Sequence, residues 1–143
     1  MKSILSIRRY PIQPLSIALL LAFTCLTFNA LSQETSISFA IEKLNEELDS
    51  IEKRYLPFFN NETMSLGIYK LTANAEDGQQ PHDQDEIYYV LEGKARILVE
   101  SKYYAVEPGE IIFVPAFAKH KFVDIEKDIR MLVFFSKKEV SRE

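Results

Sequence analysis

Between Ser36 and Phe59 the apolar positions Ile37, Ile41, Leu44, Leu48, Ile51 and Tyr55 recur at spacings of four, three, four, three and four, with charged residues between them. That spacing is one face of a helix. Pro57 disfavours helical geometry at Leu56, so the pattern predicts an amphipathic helix ending near Tyr55. One-sided burial suits a helix packed on a sheet or on a second subunit. Its polar face carries more acid than base, which counts against a membrane-surface or calmodulin-target role.

Beyond Asn60-Asn61 the texture changes to short runs rich in β-branched and aromatic residues: MSLGIYKLTA, EIYYVLEG, KARILVE, KYYAVEPGE, IIFVPA, HKFVDI and IRMLVFFS. Each is too short for a typical helix, and their regular spacing predicts an all-β sandwich or barrel. LEGK reads as a tight hairpin with Gly93 at positive φ, and VEPGE as a turn through Pro108 and Gly109.

The first 32 residues stand apart. Lys2, Arg8 and Arg9 precede an apolar stretch that closes on Ala30-Leu31-Ser32, the form of a secretory signal peptide cleaved before Gln33. The expected organisation is a signal peptide over 1–32, a helical segment over 33–60 and a barrel over 61–143. The expected destination is the periplasm or the extracellular space. The alternative is an N-terminal membrane anchor, since the stretch is only slightly short of the ~20 apolar residues of a spanning helix. Cys25, the only cysteine, falls inside the stretch, so the exported part carries no disulfide and depends on packing.

All 21 acidic residues follow Gln33 against 14 of the 17 basic ones, which leaves residues 33–143 at −7. No basic stripe remains for nucleic acid or an anionic membrane surface, and no stable membrane partner is expected after cleavage. A small-molecule ligand or substrate is unaffected by that argument.

Chemistry concentrates in QQPHDQDEIYYVLEG, residues 79–93. If this segment is extended throughout, Gln80, His82, Glu86, Tyr88 and Val90 share one face, with Asp83, Asp85, Ile87 and Tyr89 on the other. An imidazole and a carboxylate in one apolar interior are costly unless paired or bound to a cation, and a divalent metal partners both. The second histidine, His120, lies just past GEIIFVPAFAK.

Together these segments resemble the two sequence motifs of the cupin superfamily, small jelly-roll β-barrels. The first is matched by Gly78, Gln80-Pro81-His82, Glu86 and Gly93, and the second by Gly109, Pro115-Ala116-Phe117, His120 and Asp124. The resemblance covers about Thr63 to Ser136. Three positions depart from it: Gln80 where the first histidine stands, Phe117 where a turn glycine stands, and Asp124 in place of Asn. Phe117 would be strained in a left-handed conformation, so the loop before His120 is expected to take another turn. Asp124 is expected to be a solvated surface acid or local cap.

The resemblance implies one divalent ion (Fe, Mn, Ni or Zn) held by His82, Glu86 and His120, with Gln80 completing or tuning the set through its amide oxygen. Two histidines and one carboxylate with open positions are the set used by non-haem iron oxygenases. The expected function is thus an exported metal-binding protein, a metal-dependent enzyme with oxygenase-type chemistry favoured, acting on a small polar organic molecule. The alternative is a non-catalytic small-molecule binder or a structural barrel, with a homodimer as a further expectation. Tyr88 shares the ligand face and is the candidate catalytic acid or base, against the simpler role of a core tyrosine with a satisfied hydroxyl. Arg96 and Lys119 are candidates for a substrate carboxylate, and Asp83 and Asp85 are expected to face water.

Overall fold

The computed structural model describes residues 36–137. The expected leader, residues 1–32, lies outside them. Among the described residues no helix is long and apolar enough to cross a membrane.

The N-terminal periodicity forms helix α1 over Ile41–Ser50 only, shorter than the spacing predicts at both ends. Ile37 and Phe39 precede the helix as exposed side chains. At its other end Ser50 Oγ donates to the Glu47 carbonyl at 2.7 Å and Ile51 is already extended. Tyr55, read from the sequence as the last residue of the helical face, instead opens strand β1 (Tyr55–Asn60). Pro57 is tolerated there because β1 is the outermost strand of its sheet and breaks register between Pro57 and Phe59, so the missing N–H is not needed by a neighbour.

Five strands follow: β2 (Met64–Leu71), β3 (Glu86–Val99), β4 (Lys102–Val106), β5 (Ile111–Val114) and β6 (His120–Ser136). Their order is β1-β2-β6-β3-β4, every pairing is antiparallel, and β5 continues the β4 edge against the first half of β3. Among the described residues the fold is all-β with one helix, as the strand texture predicts. The two long central strands replace shorter predicted ones, however. LEGK is no hairpin: β3 runs straight through it, and Gly93 (φ 100°) sits among the register shifts where β3 bends against β6. The reversal lies instead at Glu100-Ser101, with Glu100 at φ 53°. HKFVDI and IRMLVFFS likewise merge into β6, bulged near Asp124 (φ 49°). The predicted turn at Pro108-Gly109 is present, with Gly109 at φ 92°.

Alternation divides the sheet into two faces. Outward, Ile68 of β2 meets Leu44 and Leu48 of α1, with Leu56, Phe58, Leu91 and Leu132 around them. Inward, Tyr88, Val90, Ile97, Phe122, Met131 and Val133 belong to the main core, which holds the functional groups. The helix is pinned by charge as well. Asp49 accepts from Lys70 of β2 and from Arg130 of β6, each at 3.0 Å, and these bonds hold its carboxyl below the usual range. Arg96 does not reach the interior: it pairs with Asp124 and lies 4.6 Å over the Tyr103 ring on the exposed side.

Candidate metal centre

Strand β3 begins at Glu86, and from there the predicted alternation holds. Glu86, Tyr88 and Val90 are buried while Ile87 and Tyr89 are exposed. Before Glu86 the chain is irregular, so side-chain parity cannot be carried back through residues 80–85. His82 therefore reaches the interior from a loop. His120, first residue of β6, arrives opposite Val99, the last residue of β3.

Three ligand-bearing groups converge: one nitrogen each from His82 and His120 and one Glu86 oxygen all lie within 4.8 Å of one another. Glu86 Oε2 stands 3.1 Å from His82 Nε2 and 3.3 Å from His120 Nε2. The Glu86 and His120 side chains are 1% and 0% exposed, and that of His82 is 26% exposed, so the cluster opens on one side.

The tautomer of His120 is fixed by its other nitrogen. Nδ1 lies 2.9 Å from the Ala118 carbonyl, which can only accept, so Nδ1 carries a proton and Nε2 is the nitrogen that can present a lone pair to an ion. His120 Nε2 lies 3.3 Å from the Glu86 carboxyl and makes no hydrogen bond, and His82 Nδ1 is also buried without one. His82 Nε2 hydrogen-bonds Glu86 Oε2 at 3.1 Å, and an unpartnered nitrogen on the buried His120 ring beside that buried acid is an arrangement that a divalent cation satisfies. Burial pushes the Glu86 carboxyl up from its ordinary range, against the opposing pull of Tyr88 and the two histidines. The donor set fits a divalent ion.

The loops that carry the histidines are tied to each other. Phe117 N–H donates to the His82 carbonyl at 2.6 Å, and Ala116 N–H to Asp85 Oδ1 at 2.9 Å. Asp85 also takes Ser136 Oγ on its own N–H and accepts Ser136 N–H on its carbonyl. Asp85 is thus a cross-link between ligand loops and not the water-facing acid that alternation predicts. Phe117 corrects a second expectation. It keeps the left-handed conformation (φ 65°) that the glycine of the resembled motif would take, and its N–H bond to His82 ties that turn to the ligand loop.

Gln80 is exposed, with Nε2 on the Gly78 carbonyl at 3.3 Å, and lines an outer groove of about 320 Å³ shared with Pro81, Lys119 and His120. The amide that turns to the interior is that of its neighbour, Gln79. Asp77 Oδ2 accepts from Gln79 Nε2 at 3.0 Å, which leaves Gln79 Oε1 to accept from the Tyr88 hydroxyl at 2.7 Å. Asp77 Oδ1 accepts from Tyr69, and its other oxygen also accepts Phe122 N–H. Tyr88 is fully buried beside Glu86, and burial first, then the carboxylate, push its phenol far up, so it keeps its proton. Sequence parity missed Gln79, Asp77 and Asp85 because all three act from irregular chain.

The class that these features define is a small antiparallel barrel with two histidines and one glutamate gathered at one end of its core as a candidate metal site. Residues 67–135 match the family described as Cupin domain. The chain belongs to the cupin superfamily. An uncharacterized protein of Streptomyces coelicolor is 40% identical over 99 residues, covering 69% of this chain and 94% of that one. Among solved structures, a conserved protein of unknown function from Streptococcus pyogenes is similar at TM-score 0.55, with 20% identity over 75% of this chain and 92% of that one. A polyketide cyclase of Streptomyces resistomycificus is similar at TM-score 0.52, with 21% identity over 61% of this chain and 66% of that one.

Proposed function

We propose that this cupin is an exported metal-dependent enzyme that acts on a small polar organic molecule, with oxygenase-type chemistry the leading class. The observation that carries the reading is the orphaned His120 Nε2, gathered with a Glu86 oxygen and a His82 nitrogen so that all lie within 4.8 Å of one another. The polyketide cyclase among its structural relatives supports a small-molecule substrate, and the form of the leader supports export.

His82, Glu86 and His120 would hold the ion. Three protein ligands leave positions open to substrate, and a bound divalent metal supplies Lewis acidity or, as iron or manganese, a redox centre. The chain's own contributions are separate. The Asp77–Gln79 pair orients the Tyr88 hydroxyl, and Tyr88, its proton held on Gln79 Oε1 and its phenol pushed far up by burial, is not a base; its oxygen remains able to accept a hydrogen bond from a substrate. On the outer face the opposed pairs Ile87–Phe113 and Tyr89–Ile111 leave four large apolar side chains exposed, which supports the homodimer reading.

The test is turnover. Iron-loaded protein is expected to consume O₂ in the presence of members of a small-molecule panel, and chelated protein is expected not to. Ligand-induced stabilisation without product would favour the non-catalytic binder. A second expectation concerns Asp85, which touches no ligand atom. Asp85→Ala should weaken divalent-metal binding by up to about 10-fold, the low end of what losing a partner bonded directly to a ligand does, in competition with a chelating dye. Equal affinity in variant and parent would remove Asp85 from that role.

A further inference from the structure

We propose that the cavity beside Glu86 is a subsite for a compact, uncharged, oxygen-bearing molecule about one six-membered ring in size, and that the Tyr55 hydroxyl is its hydrogen-bond donor. The inference rests on the metal-centre reading for the ligand's second anchor. It goes beyond that reading in naming the substrate class and the residue that selects it.

Size sets the first limit. The cavity holds about 140 Å³ and is walled by Tyr55, Tyr69, Tyr88, Val133 and Phe135 around Glu86. A closed apolar cavity of about 150 Å³ accepts benzene, so a single ring is the body size that this space matches best.

Charge sets the second. No lysine or arginine lines the cavity, and its one charged group, Glu86, is committed to the ion. An anionic or cationic group on the body of the ligand, away from the metal, would be buried without a partner.

The third limit is the hydrogen-bond inventory. Tyr69 donates to Asp77 and Tyr88 donates to Gln79, so neither proton is available. The half-buried Tyr55 hydroxyl makes no hydrogen bond among the described residues, and the charge it feels is that of Glu86. Gln79 Nε2 gives one N–H to Asp77, and of the three tyrosine hydroxyls at the cavity that of Tyr55 is the one left to donate to a ligand oxygen. Its place depends on Gly67, because a Cβ at that position would run into the Tyr55 ring and hydroxyl. The neighbouring strand thus gives up a side chain so that Tyr55 can lie at the cavity wall.

The experiment is ligand-observed NMR on the zinc-loaded protein and its Tyr55→Phe variant, with phenol, benzene, 2-naphthol and 4-hydroxybenzoate as probes and zinc content measured on the same samples. Phenol is expected to bind the parent at least about tenfold more tightly than 2-naphthol or 4-hydroxybenzoate. Tyr55→Phe should weaken phenol roughly 3- to 10-fold, the worth of one hydrogen bond, and leave benzene unchanged. Preference for either larger probe, or loss of phenol and benzene alike or of neither in Tyr55→Phe, overturns the proposal. If zinc is held but phenol binding ignores Tyr55, this subsite fails and the metal centre stands. If phenol binds through Tyr55 with no zinc taken up, the metal reading fails and the subsite stands.

Discussion

Replacing His120 by alanine is expected to abolish the stabilisation that a divalent ion confers on this protein. An ion at a hundred times its dissociation constant adds about 2.7 kcal/mol to a folded state that alone binds it. For a domain of this size that is a rise of roughly 10–20 °C in Tm. The His120 imidazole is the ligand whose geometry is least adjustable. Its Nδ1 proton is fixed on Ala118, its ring is fully buried, and its Nε2 has nothing else to bind. Without it Glu86 and His82 remain, a pair that a first-row ion binds far more weakly than three converging ligands. His82→Ala should act in the same direction. Differential scanning fluorimetry with zinc, manganese or nickel, each against excess chelator, reads the effect. A metal-dependent shift in His120→Ala as large as the parent's would mean that the ion binds elsewhere.

The second large effect is structural. Gly93→Ala should destabilise the barrel by roughly 2–5 kcal/mol, from the left-handed backbone it would strain and the overpacking it would force. The total available is about 5–15 kcal/mol. A Cβ at Gly93 would lie 2.6 Å from Ile129 Cα and closer still to the Asp128 carbonyl oxygen, so backbone would meet backbone with no side chain able to swing away. Gly109→Ala is the internal control. Its φ of 92° is close to the 100° of Gly93, but a Cβ there meets nothing within 4 Å. The difference between the two variants in urea unfolding isolates the clash at the β3 bend, and equal losses would show that backbone strain alone matters.

Much of the site could be read from the letters, and the failures share a cause. The set His82, Glu86 and His120 was implied by the resemblance to the cupin motifs, and the alternation from Glu86 to Val90 came out as predicted because that stretch is regular strand. Gln80 and Gln79 were not separable, since a two-residue period says nothing about a loop, and the structure turns Gln79 inward to Tyr88. Tyr55 was assigned to a helix face because its spacing from Ile51 fits one. The competing pull of β1 pairing with β2 extended the chain before that residue. Phe117 was expected to avoid a glycine's conformation on steric grounds. Tertiary hydrogen bonding to His82 overrides that local preference. Gly93 was rightly given positive φ, yet the bend belongs to one long strand and not to a hairpin, a distinction that only long-range pairing with β6 decides.

The central claim is that the two imidazoles and Glu86 grip one ion. The most direct measurement is elemental analysis with X-ray absorption on the purified protein after exposure to a mixture of first-row divalent metals. The account predicts about one ion per chain and a coordination shell containing two imidazole nitrogens and carboxylate oxygen. A protein that takes up no metal, or an ion whose shell contains no imidazole, would contradict it.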